Sequence, residues 1–437
     1  MTVVSPTSPW RDRWYAVAAL VDLDPDRPLP FRLLDEPLVL WFDREGDRWR
    51  AFSDRCPHRL VPLSEGRLDG EGHLECPYHG WSFDGEGRCL TIPQLEEGRR
   101  PGAGSACQPW ATACGQGLLF VFAGDPTGAA AVPLPLVPAL DEPGWLVQDT
   151  FRDLPYDALT LLENVLDVSH VPYTHHATVG QRDTAGPVAL ELLRADAEGF
   201  VGHWAQGPRQ GRLGPQDTTF LAPGLLWHDL TAPGFARILT VVYATPMAPG
   251  RARLVARFPF RFEKPLLARL FNLTPRWLRH LGNNAVLEDD QLFLHQQERE
   301  LERRGGSPEL LRACHLPTPA DRYVQALHRW VLDHGGVPFA GQPLPPRLST
   351  PELLERLHSH TDQCRSCRKA LRRLERIERW GLPVLLLLVI PTTWAGPTPV
   401  GAIGLLLLLA GSLGLVQVHR WVRGLRQGNP VPARNRP

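Results

Sequence analysis

Ala51-Phe52-Ser53-Asp54-Arg55-Cys56-Pro57-His58-Arg59 and, with seventeen residues between His58 and Cys76, Cys76-Pro77-Tyr78-His79-Gly80-Trp81 form two ligand loops, C-x-H and C-x-x-H. Two thiolates on one iron and two imidazoles on the other make a [2Fe–2S] centre with a higher reduction potential than an all-Cys cluster. The imidazoles also remove negative charge and add a proton-linked handle, which suits an internal electron relay. Two Cys and two His can equally hold a tetrahedral zinc ion. The order here, each His just behind its own Cys, favours the cluster. Pro57 and Pro77 stiffen the loops, and Gly80 is expected to let backbone approach the cluster.

Around these loops, from Trp14 to about Gly124, short strand signals alternate with tight turns. Leu38-Val39-Leu40-Trp41-Phe42 reads as a strand and Asp43-Arg44-Glu45-Gly46-Asp47 as the turn after it. Phe83-Asp84-Gly85-Glu86-Gly87 and Leu118-Leu119-Phe120-Val121-Phe122 repeat the turn and strand signals. The region is therefore expected to be a small, mostly β domain.

Trp14-Tyr15-Ala16-Val17, the two ligand loops and Ile92-Pro93-Gln94 together resemble the N-terminal half of the Rieske non-haem iron oxygenases, over most of residues 14–124. A Rieske domain alone only moves electrons, so the next question is where chemistry could occur. Asn164-Val165-Leu166-Asp167-Val168-Ser169-His170-Val171-Pro172-Tyr173-Thr174-His175 offers a place. Asp167 and His170 are expected to share a face at a helix end, and Pro172 to break the helix so that His175 turns back toward His170. Two neutral His and one distant carboxylate make the facial triad of non-haem Fe(II) oxygenases, with positions left open for O₂. The bland reading is a pair of polar loop residues. The spacing D-x-x-H-x-x-x-x-H resembles the family's iron motif and favours His175 over His176.

The resemblance implies that Asp167 does not bind iron but hydrogen-bonds both His170 and a Rieske His of a neighbouring subunit, joining the centres across a homotrimer. The third iron ligand is expected in Leu287-Glu288-Asp289-Asp290-Gln291, where helical geometry alone leaves both Asp289 and Asp290 open. The family's pattern of Asp followed seven residues later by Gln matches Asp290 with Gln297.

The second domain is expected to be α+β and helix-grip-like, with helices from about Tyr156 to Leu166 and about Asn283 to Arg304 bracketing strands such as Ile238–Tyr243. Beyond the Gly/Pro-rich stretch Gly335–Pro351, the tail holds His358-Ser359-His360-Thr361-Asp362-Gln363-Cys364-Arg365-Ser366-Cys367 and then no charged residue from Gly381 to Val418. Val400–Val418 is long enough to cross a bilayer. Gly381–Ala395 is shorter and is joined to it by Gly396-Pro397-Thr398-Pro399. Trp380, Trp394 and Trp421 stand where interfacial aromatics belong. Arg372, Arg373, Arg376 and Arg379 before the pair, with Arg420, Arg423 and Arg426 after it, place both ends of a hairpin on the cytoplasmic or stromal side of a thylakoid or plasma membrane. One crossing plus a re-entrant segment is the alternative.

Arg368 stands where c-type haem attachment would need His. Cys364 and Cys367 therefore read as a reversible disulfide with thiolates favoured by nearby arginines, as a zinc pair with His358 or His360, or as ordinary thiols. With this tail the chain resembles the plant and cyanobacterial group that contains pheophorbide a oxygenase, a translocon-associated Rieske protein and protochlorophyllide-oxidising relatives. That likeness implies a thioredoxin-responsive Cys364–Cys367 switch.

The 437 residues allow two or three domains, and the equal counts of basic and acidic residues give no sign of a nucleic-acid partner. Met1–Trp14 shows neither a signal nor a transit peptide. With no flavin or nicotinamide fingerprint, electrons are expected from reduced ferredoxin. The expected divisions are a Rieske domain (1–130), a mononuclear iron domain (131–345), a CxxC-bearing juxtamembrane segment (346–379) and a membrane hairpin with a short tail (380–437). The expected activity is oxidation of a tetrapyrrole, with a carotenoid or other ring lipid, or a redox-sensing role without turnover, as alternatives.

Overall fold

The computed structural model describes residues 8–232 and 235–435. Residues 1–7, at the head of the expected first domain and within the stretch Met1–Trp14, lie outside the described residues, as do residues 436–437 of the tail.

The N-terminal part is built from three small antiparallel sheets. One joins Trp14–Ala19, Leu118–Phe122 and Thr112–Gly115. A second orders Leu29–Leu33, Glu36–Asp43, Arg48–Ser53 and Pro109–Trp110. A third, of very short strands between Arg67 and Thr91, carries the second ligand loop. Leu29, Phe31 and Leu33 are buried while Pro30 and Arg32 are exposed, the period-two burial of a strand with one face on a core. Val39, Trp41, Phe52, Leu63, Leu74 and Phe83 form the apolar floor on which both cluster cysteines rest.

The second part is a seven-stranded antiparallel sheet: β1 (Leu146–Leu154), β2 (Glu191–Asp196), β3 (Gly199–Trp204), β4 (Gln216–Leu221), β5 (Leu225–Leu230), β6 (Phe235–Ala248) and β7 (Arg251–Phe262), in the order β1-β7-β6-β5-β4-β3-β2. Helix α1 (Ala158–Leu166) buries Ala158, Leu159, Leu161, Leu162 and Leu166, and it packs on β6 and β7. Helix α2 (Arg276–Glu302) begins seven residues before the expected start and runs beside β1. The two parts share continuous cores: Phe120 and Phe122 lie in one cluster with Leu225, Val241 and Tyr243.

α2, β1 and the tail are clamped by a buried carboxylate. Glu288 of α2 receives 2.6 Å bonds from Arg152 of β1 and from both Nε and Nη2 of Arg356. Truncating one member of such a buried network leaves charge unpaired. Glu288→Ala is expected to destabilise the fold by about 3–5 kcal/mol, seen as a lower midpoint in thermal unfolding of the detergent-solubilised protein.

Residues 346–379 are not a free juxtamembrane spacer. Cys364, Cys367, Leu371 and Leu374 lie in the same core as β6 and β7 residues. From there two long helices leave the body, α3 (Arg365–Trp394) and α4 (Pro399–Arg426). Both are long and apolar enough to cross a membrane, and their apolar stretches are almost wholly exposed. They pack closely as an antiparallel pair: a Cβ on Gly381 would stand 2.2 Å from Leu415, and one on Gly411 2.5 Å from Leu385. His419 meets Glu378 at 2.6 Å at the base, and Arg426 pairs with Glu375.

Trp421, expected at the membrane interface, also touches the body. It packs edge-on against Trp277 of α2, 5.4 Å between ring centres, because α4 runs past the apolar stretch back into the body. Its last carbonyls are taken up there: Arg356 Nη1 donates to Gly424 O and Thr361 Oγ1 to Leu425 O.

Candidate metal centres

Both ligand loops turn in the same way. Leu60 N–H donates to Cys56 O and Gly80 N–H to Cys76 O, at 2.8 and 3.2 Å. The residue four after each Cys is left-handed, Leu60 at φ +59° and Gly80 at +73°. Glycine at 80 therefore serves the turn, and a Cβ there would press on Pro93 at 3.2 Å.

The His58 ring stacks on Trp81 at 4.6 Å and meets His79 edge-on at 4.6 Å. Nδ1 of His58 and Nδ1 of His79 are buried with no hydrogen-bond partner. Cys56 and Cys76 are both 1% exposed. Burial pushes the Cys56 thiol up to about 11, and a bound metal would favour the thiolate there instead. Two orphaned imidazole nitrogens beside two buried thiols fit a [2Fe–2S] group.

The second constellation is held by α1, the turn after it and α2. α1 ends at Leu166, so Asp167 and His170 do not share a helix face. Instead Asp167 O meets His170 Nδ1, while the Asp167 carboxylate accepts from Ser169 N at 2.9 Å and Ser169 Oγ at 2.5 Å. The contact expected from the Asp167 side chain to His170 is thus made by its main chain, since a carboxylate two residues ahead of Ser169 closes its own local turn. Pro172 does not break a helix. It starts the short helical turn Val171–Thr174, in whose first positions its missing N–H costs nothing, with His170 and His175 at the two ends.

His170 Nε2 and His175 Nε2 come to 3.2 Å. The Asp290 carboxylate lies 3.7 Å from the first and 3.2 Å from the second. Asp289 sits behind His175, 3.4 Å from Nδ1, and is held by Thr178 Oγ1 at 3.0 Å. Burial opposes a charge on His175, but the two aspartates outweigh it and raise its pKa to about 9. Positive charge is favoured at this spot, and a divalent cation would supply it in place of the proton. His176 faces Arg182 instead, its Nδ1 accepting from the Arg182 N–H at 3.3 Å.

Several supporting residues carried no role in the sequence reading. Asn164 Nδ2 donates to Asp290 Oδ1 at 3.2 Å. Gln297, chosen only as a spacing marker, donates to Glu163 at 3.0 Å, and Glu163 also meets His328 Nε2 at 2.9 Å. Arg434, beyond the hairpin, donates to Asp289 O at 2.5 Å and lies over the Phe293 ring. Asn164 lies in the quoted motif, one residue type that can donate to a carboxylate; Arg434 left no local signal.

The structure bears unevenly on the alternatives open for the CxxC. Cys364 and Cys367 are free and wholly buried, Arg368 pairs with Asp24 of the N-terminal part, and burial pushes the Cys364 thiol up to about 11. The thiolate expected of nearby arginines is thus opposed at Cys364 by burial, with Arg368 turned to Asp24. His358 is exposed and pairs with Glu355, whereas His360 is buried beside Cys367 together with His280 of α2.

Residues 13–109 match the family model for the Rieske [2Fe-2S] domain, and residues 220–308 the model for pheophorbide a oxygenase. The chain is 37% identical over 406 residues to pheophorbide a oxygenase of Arabidopsis thaliana, covering 85% of this chain and 74% of that protein. It is 32% identical over 403 residues to flavonoid 8-hydroxylase 2 of Ocimum basilicum, covering 84% and 75%. The crystal structure of dicamba monooxygenase bound to dicamba superposes with a TM-score of 0.59 at 23% identity, covering 74% of this chain and 98% of that one. A likeness at that identity shows a shared fold.

Proposed function

The chain belongs to the Rieske oxygenase family that contains pheophorbide a oxygenase, and we propose that it is a membrane-anchored oxygenase acting on a tetrapyrrole of the chlorophyll-breakdown type. The observation that carries this reading is the convergence of His170 Nε2, His175 Nε2 and Asp290 in a chain 37% identical to pheophorbide a oxygenase.

Cys56, His58, Cys76 and His79 would hold the cluster, and His170, His175 and Asp290 the mononuclear iron. The bound groups supply single electrons and O₂ activation. The chain's own residues prepare the site for them. Asp167 O keeps a proton on His170 Nδ1, leaving Nε2 bare toward the triad. Asp289 does the same for His175, and Asn164 turns Asp290 toward both rings. Replacing either supporting residue, as Asn164→Ala or Asp289→Asn, is expected to lower iron affinity or turnover about 10–100-fold, read by iron analysis and O₂ uptake.

Rieske oxygenases take electrons from ferredoxin-type partners and are usually trimeric. For this chain we assign reduced ferredoxin as donor and a homotrimer in which the Asp167 carboxylate faces a Rieske His of the next subunit. The arginine-rich base of the hairpin sets the oxygenase body on the cytoplasmic or stromal face of a thylakoid-type or plasma membrane.

Identity to flavonoid 8-hydroxylase 2 favours a smaller phenolic ring as a second reading. Reconstitution with ferredoxin, a reductase and O₂ separates the two. Substrate-dependent O₂ uptake with pheophorbide a, and none with a flavone or a carotenoid, is expected. Uptake with the flavone alone would move the assignment to it, and uptake with no ring tested would favour a redox component without turnover.

A further inference from the structure

The strongest unexplained feature is the buried group His280, His360, Cys364 and Cys367, whose four donor atoms all lie within 4.8 Å of one another. Its residues come from three places: α2, the turn Leu357–Thr361 and the start of α3. None of them touches the triad.

The spacing is that of a coordination shell. A tetrahedron with vertices about 2.0–2.3 Å from its centre, the zinc–nitrogen and zinc–sulfur lengths, has edges of about 3.3–3.8 Å. Here His280 Nδ1 lies 3.1 Å from His360 Nε2, 3.4 Å from Cys367 Sγ and 3.6 Å from Cys364 Sγ, and His360 Nε2 lies 3.3 Å from Cys367 Sγ.

The tautomers are set from behind. His280 Nε2 donates to Asp149 O at 3.0 Å, and His360 Nδ1 to Phe151 O at 2.6 Å, both carbonyls of β1. Each ring therefore carries its proton on the outer nitrogen and turns a bare lone pair inward. Two bare nitrogens 3.1 Å apart repel unless something positive lies between them. Orientation of metal-binding imidazoles by carbonyl groups is a regular outer-shell device.

The set is also closed. The nearest carboxylate, Asp22, is 3.4 Å from Cys364 Sγ but is engaged by Arg276 through two 2.7 Å bonds. Four protein donors with no open position and no solvent access mark a structural rather than a catalytic site. Soft thiolates with imidazoles in tetrahedral array select zinc.

We infer that His280, His360, Cys364 and Cys367 bind one structural zinc ion that fastens the base of the apolar hairpin to α2 and β1. Binding replaces two S–H protons by the metal: Zn²⁺, two thiols and two neutral imidazoles give a neutral complex and two protons released to solvent. No electron is transferred. This holds whatever the substrate of the oxygenase.

The full-length chain, purified in detergent from zinc-replete cells and freed of loosely held metal, is expected to contain one zinc per chain beside its iron. Exchange with cobalt should give intense thiolate-to-cobalt charge-transfer absorption with tetrahedral ligand-field bands. Mass spectrometry should find Cys364 and Cys367 alkylated by maleimide only after chelation. The Cys364→Ser/Cys367→Ser double variant should lose the zinc and keep the Rieske EPR signal. Absence of zinc from the wild-type chain, zinc retained by the double variant, or a Cys364–Cys367 disulfide in the protein as isolated would each overturn the assignment. The wild-type zinc content and cobalt spectrum decide the matter if the variant does not fold.

Discussion

Asp290→Ala is expected to abolish substrate-dependent O₂ uptake and to strip the mononuclear iron while leaving the Rieske EPR signal intact. The loss should exceed the roughly 10–100-fold effect expected of Asp289→Asn. The two neighbours differ in which nitrogen of His175 they meet. Asp290 lies 3.2 Å from Nε2, on the side shared with His170. Asp289 lies 3.4 Å from Nδ1, on the far side. Removing Asp290 takes away a charged donor at the centre, and removing Asp289 only loosens the ring that points there. The opposite ranking in iron content would make Asp289 the ligand.

Proton competition should accompany the metal. In the metal-free protein His175 is held protonated up to about 9. Iron must displace that proton, so apparent iron affinity should rise as pH increases toward that value and then level off.

The second large effect concerns the membrane. Replacing residues 382–417 by a short Gly/Ser link should release the protein into the soluble fraction while retaining its fold. Leu386, Leu387, Ile390, Leu405 and Leu406 are each at least 60% exposed, an apolar surface far beyond what a soluble chain leaves uncovered. Cutting the chain at 381 instead should destabilise the body. Val418, Val422 and Leu425 lie in its core, and Arg434 holds Asp289. Continued sedimentation with membranes after the internal replacement would show that another surface anchors the protein.

Much of this architecture was legible in order and type because it rests on local signals. The ligand loops, His170 with His175 and the uncharged tail are each contiguous, and their spacing carries the chemistry. What could not be read depends on residues far apart in the chain. His280 stands eighty residues before His360 and belongs to no spacing pattern, so zinc was weighed only with His358 or His360. The helical period could not separate Asp289 from Asp290, because both side chains are buried, one on each side of His175. Pro172 was read as a breaker because a sequence does not reveal that α1 has already ended at Leu166.

The return of the chain from the hairpin to the body has a consequence for biogenesis. Arg356 N–H bonds Arg426 O, Gly428 N–H bonds Leu354 O, and Arg434 reaches Asp289. Everything before residue 381 can be made and collapse in water, yet these contacts need residues that follow both long helices. The contact of Arg434 with Asp289, behind His175, therefore forms only after both long helices have been synthesised. A chain still emerging from the ribosome lacks that backing for His175, and the segment after the hairpin completes the setting of the iron site.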